Sequence, residues 1–116
     1  MENILEAKAS LRDNKGSARK ARLVLDMIRG KAVNEAKNIL QFSNKKVAKD
    51  IHKLLNSAIA NATQVAGKAD TTNMTINKAY ADEGRIDKRT LLRYRGTADR
   101  ILKRRCHITI GVILKK

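Results

Sequence analysis

The sequence predicts a fold of mixed helix and strand, and three observations predict it. From Val47 to Val65 the apolar residues recur at steps of three and four, the period of a helix buried along one side. From Cys106 to Leu114 they recur at every second position, the period of a half-buried strand. A shorter alternation through Met74, Ile76 and Tyr80 marks a second strand, and the segment between these two strands is the most cationic in the chain.

Taken in order, residues 3–12 alternate loosely through Ile4, Ala7, Ala9 and Leu11, which predicts a first strand. A helix follows over 17–29, with Ser17 as N-cap and Gly30 as the stop. Ala18, Ala21, Val24, Leu25 and Ile28 make its apolar stripe, and Lys15, Arg19, Arg22 and Arg29 fall on the opposite side, interrupted by Asp26. A short helix over 33–41 turns Val33, Ala36, Ile39 and Leu40 inward. Ser43 or Asn44 then caps a long helix running to Ala66, before Gly67. That helix is expected to bury Val47, Ile51, Leu54, Leu55, Ala58, Ala62 and Val65, with Lys46, Lys49 and Lys53 on its other face. Met27 and Met74 are further core candidates. There is no internal repeat and no low-complexity linker, and 116 residues suggest a single domain, 1–116.

The charge balance narrows the partners. Lys and Arg number 26 against 11 Asp and Glu, a formal net charge of +15. Such a surplus repels itself and calls for a polyanion. Nucleic acid is the usual one, because neutralising phosphates releases condensed counterions; an anionic membrane surface is the main competitor. No stretch approaches the roughly 18 apolar residues that span a bilayer, so no membrane partner is expected. Aromatics are only 3% of the chain and Trp is absent, so the core must be aliphatic. Cys106 is the single cysteine, which rules out an internal disulfide and fits a reducing compartment. The first residues, Met1-Glu2-Asn3-Ile4-Leu5-Glu6, carry acids where a signal peptide carries bases, so the expected protein is soluble and intracellular, in the cytoplasm or an organelle.

Residues 85–105 concentrate the charge. Arg85, Lys88, Arg89, Arg93, Arg95, Arg100, Lys103, Arg104 and Arg105 stand against only Asp87 and Asp99. The flanking strands predict an extended hairpin over about 80–104 with its tip at 85–95, bent where Gly84 and Gly96 ease the backbone. Arms of about 12 residues at ~3.3 Å each would project on the order of 35–40 Å. A two-stranded ribbon without a packed face is marginal in water, and Ile86, Leu91, Leu92 and Tyr94 have no core to enter. Folded RNA answers both problems: arginine forks bind phosphates, and arginine planes or Tyr94 stack on bases.

Ala18-Arg19-Lys20-Ala21-Arg22-Leu23-Val24-Leu25-Asp26-Met27-Ile28-Arg29-Gly30-Lys31 resembles the first-helix signature of the large-subunit ribosomal protein L-twenty-two family. Ser57-Ala58-Ile59-Ala60-Asn61-Ala62 resembles the end of that family's long helix, and Asp82-Glu83-Gly84 the approach to its hairpin. Gly96-Thr97-Ala98-Asp99-Arg100-Ile101-Leu102-Lys103-Arg104 and His107-Ile108-Thr109-Ile110 are similar to its return strand. The resemblance implies an α+β fold: three helices packed on a small antiparallel three-stranded sheet, with a long β-hairpin. It implies a structural constituent of the large ribosomal subunit that binds large-subunit ribosomal RNA, assists subunit assembly, and lines the polypeptide exit tunnel with its hairpin. The implied partners are that RNA, neighbouring large-subunit ribosomal proteins and the nascent polypeptide. Carried over by position, Lys15, Arg19, Lys20, Arg22, Arg29 and Lys31 become RNA contacts on the helix side. Arg85, Lys88, Arg89, Arg93, Arg95, Arg100, Lys103, Arg104 and Arg105 become those of the hairpin. Ile86, Asp87, Lys88, Arg89, Thr90, Leu91, Leu92, Arg93 and Tyr94 become the tunnel-lining tip. The family usually has Pro after its Asp-Glu-Gly turn; here Arg85 follows and the chain has no Pro.

The remaining chemistry-bearing residues do not assemble into a reactive site. His52 has no second ligand in register, and Cys106 and His107, adjacent on a strand, point to opposite faces. A four-ligand zinc set is missing, and Gly30-Lys31-Ala32 lacks the spacing of a nucleotide loop. Asp82 and Glu83 read as turn residues or arginine partners. No cofactor, small-molecule substrate or enzymatic activity is expected. The competing readings are a DNA-binding regulator using helix 17–29 and a nuclease; the first lacks a helix-turn-helix partner and the second a carboxylate pair.

Overall fold

The computed structural model describes residues 4–67, 74–92, 96 and 98–115. Its elements run β1 (Ile4–Lys15), α1 (Ala18–Ile28), α2 (Val33–Gln41), α3 (Ala48–Ala66), β2 (Met74–Leu92) and β3 (Ala98–Lys115). The three strands form one antiparallel sheet in the order β1-β3-β2, so the last strand is central and both others are edges. The helices pack on one face, α3 against β1 and β3 and α1 against β2 and β3, with α2 leaning on α3. This is the α+β arrangement expected, three helices on a three-stranded antiparallel sheet.

Local signals explain most boundaries. Ser17 Oγ accepts from the Arg19 amide at 3.2 Å, capping α1 as anticipated. The chain leaves α1 through Gly30 at φ 78°, a left-handed conformation that a side chain would strain. α3 ends at Gly67, also left-handed at φ 71°, whose amide returns to the Thr63 carbonyl at 2.8 Å.

The core is aliphatic, with Cys106 and Met74 the only buried sulfur-bearing side chains among the described residues. Leu25 and Ile28 of α1, Ile51 and Leu55 of α3, and Ile108 and Ile110 of β3 are fully buried. Each contributes about 1.5–3 kcal/mol relative to exposure. No charged or polar side chain is buried among the described residues.

Five expectations need correction. Lys15 does not extend the cationic face of α1: it is the last residue of β1, in register with Arg105. Ser43 and Asn44 do not cap the long helix: α3 starts at Ala48 after Val47, and Ser43 Oγ instead closes a local turn by accepting from the Lys45 amide. Val65 is 57% exposed although it falls in line with the buried stripe of α3. Met27 is 46% exposed on the outer side of α1. Tyr80 does not share a face with Met74 and Ile76. The β2–β3 register shifts between Ile76 and Lys78, which inverts the side-chain parity and turns Ala79 and Ala81 inward.

Candidate nucleic-acid interface

The cations of α1 divide into two groups. Arg19 and Lys20 are exposed in its first turn, and Lys31 is exposed just beyond its end. Arg22 and Arg29 are also largely exposed, yet both guanidinium groups reach the free edge of β2. Arg22 donates to the Ala81 carbonyl through Nε at 3.1 Å and Nη2 at 2.9 Å. Arg29 donates to the Ala79 carbonyl through Nε at 3.0 Å and also through Nη2. Its Nη1 meets Asp26 Oδ1 at 2.6 Å. The loop after α1 continues the same line: Gly30 N donates to Ile76 O and Ile76 N to Lys31 O, each at 3.0 Å. An edge strand presents unpaired carbonyls, and here one chain segment supplies their donors.

β2 and β3 stay paired beyond the core. Among the described side chains the last buried residue of β2 is Ala81 and the first of β3 is Cys106. After a register break between Glu83 and Ile86, pairing resumes at Ile86↔Arg104 and runs to Leu92↔Ala98. At ~3.3 Å per residue, that second stretch is roughly 20 Å long. Lys103 and Arg104 are exposed on it. Arg105 is half-buried at its base and donates through Nη1 to the Asp13 carbonyl at 3.3 Å; Lys15, its partner in register on β1, is exposed. Gly84 sits at the break, where an added Cβ would lie 3.1 Å from the Arg105 carbonyl oxygen. Of the expected tip, Ile86 is half-exposed. The side chains of Arg85, Asp87, Lys88, Arg89, Thr90, Leu91, Leu92 and Arg100, and all of Arg93, Tyr94 and Arg95, lie outside the described residues.

The face of the sheet opposite the helices holds residues that the sequence reading left unassigned. Ser10, Thr109 and Tyr80 form one row across β1, β3 and β2, and Lys8, Gly111 and Lys78 the next. Ser10 and Thr109 share a hydroxyl hydrogen bond at 3.3 Å. The alternation of Lys8 and Ser10 with Ala7, Ala9 and Leu11 was the available signal; for Lys78 and Tyr80 the irregular register hid it. His107 lies on this face, its Nδ1 accepting from the Asp13 amide at 3.1 Å, while Cys106 faces the helices. His52 spends its Nδ1 on Asn56 of the next helical turn. Among the described residues no group of three or more His, Cys, Asp or Glu could hold a metal ion. No described helix is long and apolar enough to cross a membrane.

Helices on one face of an open antiparallel sheet, with cations on α1 and along the two longest strands, define a strongly basic α+β protein with no metal-binding cluster among the described residues. A model of the family described as ribosomal protein L22p/L17e matches residues 9–113, and the chain belongs to that family. It is accordingly a structural ribosomal protein of the large subunit, binding ribosomal RNA in translation and neighbouring the subunit's other proteins.

Proposed function

We propose that the chain acts as a binding and shaping element of the large subunit, with no reaction of its own, as one domain spanning 1–116. Its β2–β3 arm threads folded ribosomal RNA as a long hairpin, and the end of that hairpin lines the polypeptide exit tunnel and meets the nascent chain. By holding separate RNA segments against one arm, it assists subunit assembly in the cytoplasm. The RNA contacts are Arg19, Lys20 and Lys31 on the helix side and Lys15 at the end of β1, with Arg85, Lys88, Arg89, Arg93, Arg95, Arg100, Lys103, Arg104 and Arg105 along the arm. The single observation that carries this reading is the pairing from Ile86↔Arg104 to Leu92↔Ala98, which continues past Ala81 and Cys106, the last core residues of the two strands among those described.

Binding to a large-subunit RNA transcript tests it. Affinity should fall steeply as salt rises, with a log–log slope of several units, because many phosphates are contacted. Near-constant affinity between low and moderate salt would overturn the reading. The tagged protein should also co-sediment with large subunits in high-salt gradients. The regulator alternative finds no favouring observation, since two of the cations it would carry into a DNA groove, Arg22 and Arg29, hydrogen-bond to β2.

A further inference from the structure

We propose that Arg22 and Arg29 are positioning residues: they fasten α1 to the outer edge of β2 and so set the direction in which the β2–β3 arm leaves the core. This rests on the reading that the arm meets RNA, and it takes these two arginines out of the phosphate-binding set where their charge and position in the chain had placed them.

Three features carry it. First, each guanidinium gives two N–H groups to a single carbonyl, of Ala81 for Arg22 and of Ala79 for Arg29. A planar fork does this and a lysine ammonium does not. Second, the two contacts lie along one line. Arg22 and Arg29 are two helical turns apart, about 10 Å, and their acceptors are two residues apart on a strand running the opposite way. Gly30 and Lys31 extend that line to Ile76, so the edge is held at three successive points. Third, the place is the root of the arm. Ala81 is the last buried residue of β2 among those described, and the register breaks just beyond it, between Glu83 and Ile86. A ribbon leaving a sheet at a register break can swing there. On the β2 side Arg22 holds the last fixed point before it, while on the other side Gly16 N, donating to Arg104 O at 3.0 Å, holds β3.

Asp26 adds to the case. It sits one helical turn before Arg29 and pairs with Nη1, so all the polar contacts of that guanidinium are internal: one carbonyl and one carboxylate. A phosphate approaching Arg29 would meet the Asp26 charge as well. Arg19 and Lys20 have no neighbouring acid on the helix, which is the difference expected between a ligand and a clamp.

The test uses the full chain and a large-subunit ribosomal RNA transcript. Spin labels go on Lys20→Cys and Lys103→Cys, with buried Cys106 left unlabelled. In Arg22→Lys, which keeps the charge and loses the fork, the label–label distance distribution should broaden. RNA affinity should weaken about fivefold, the scale of one net hydrogen bond, with the salt slope unchanged. Arg19→Gln, by contrast, should shallow the slope by about 0.7–0.9, as one lost phosphate contact does. Arg29→Lys repeats the measurement if Arg22→Lys folds poorly. An unchanged distance distribution overturns the proposal, as does Arg22→Lys binding like wild type while Arg22→Gln shallows the slope. Wild-type protein without salt-dependent RNA binding would instead sink the function proposed above, and the distance measurement would still decide the clamp.

Discussion

Glu6 on β1 and Lys78 on β2, the two edge strands, form an ion pair at 3.3 Å across the whole width of the sheet. The side chains can meet because the central strand offers no side chain between them: Gly111 is the residue opposite Lys78, and the carboxylate of Glu6 passes beside it. Asn77, at the register shift of β2, donates to the same carboxylate oxygen at 3.3 Å.

Glu6 should make stability depend on acid. The hydrogen bond from Asn77, followed by the contact and charge of Lys78, holds its carboxyl below the ordinary value of 4.5. A depressed carboxyl contributes stability that is present above its unfolded value and lost as pH falls through its folded one. Both partners are solvent-exposed, so the effect is small and weakened by salt. Thermal melts of wild type and Glu6→Gln should differ at pH 7 in low salt and converge as pH falls below 4.5 and through the depressed folded value. A difference that persisted at pH 3 would show that Glu6 acts through something other than its charge.

Gly111→Ala should destabilise by about 1–3 kcal/mol, the usual effect of crowding a packed site. Its new Cβ would stand 3.0 Å from Asn77 Oδ1 and 3.2 Å from Lys78 Cβ. Neighbouring side chains must shift, and with them the contacts to Glu6. Denaturant midpoints measure this; a gain in stability, as strand propensity alone would suggest, is the contrary outcome.

Cys106 should be inert in the folded protein. Its side chain is fully buried on the helix-facing side of β3, and burial raises its thiol above the ordinary 9.0, with the nearby Asn14 amide acting in the other direction. Asn14 Nδ2 is itself buried without a hydrogen-bond partner, so burial of the thiol dominates. A maleimide reagent at neutral pH should label Cys106 only at the rate of unfolding, and addition of denaturant should make labelling fast. Rapid labelling of native protein would contradict the packing.

Gly30→Ala should cost about 1 kcal/mol, because φ 78° is open to glycine and strained for alanine. An added Cβ meets nothing within 4 Å, so the loss measures backbone strain alone. An unchanged chemical-denaturation midpoint would mean that the turn relaxes to a negative φ.

Removing residues 86–94 and closing the gap with a short glycine-rich turn should leave the thermal midpoint nearly unchanged. No residue between Ala81 and Cys106 belongs to the core among those described. A large fall in the midpoint of the isolated variant would show the arm to be part of the folding unit.

The sequence by itself determined the elements and most of the core. The stripes of α1 and α3 and the alternation of β3 placed Ala21, Leu25, Ile51, Leu55, Ile108 and Ile110 inside before any contact was known, since burial on one face imposes a period of 3.6 or 2. The charge of residues 85–105 marked the arm for the same local reason. Only the tertiary structure decided where the periods fail and what the exposed cations do. One register shift in β2 reverses the facing of Tyr80, and Val65, in line with the buried stripe of α3, lies in solvent. Arg22 and Arg29 carry the same charge and helical spacing as a phosphate-binding face, but their geometry joins them to carbonyls of residues 59 and 50 positions away. Period and charge are properties of neighbours in the chain, whereas a hydrogen-bond partner is a property of neighbours in space.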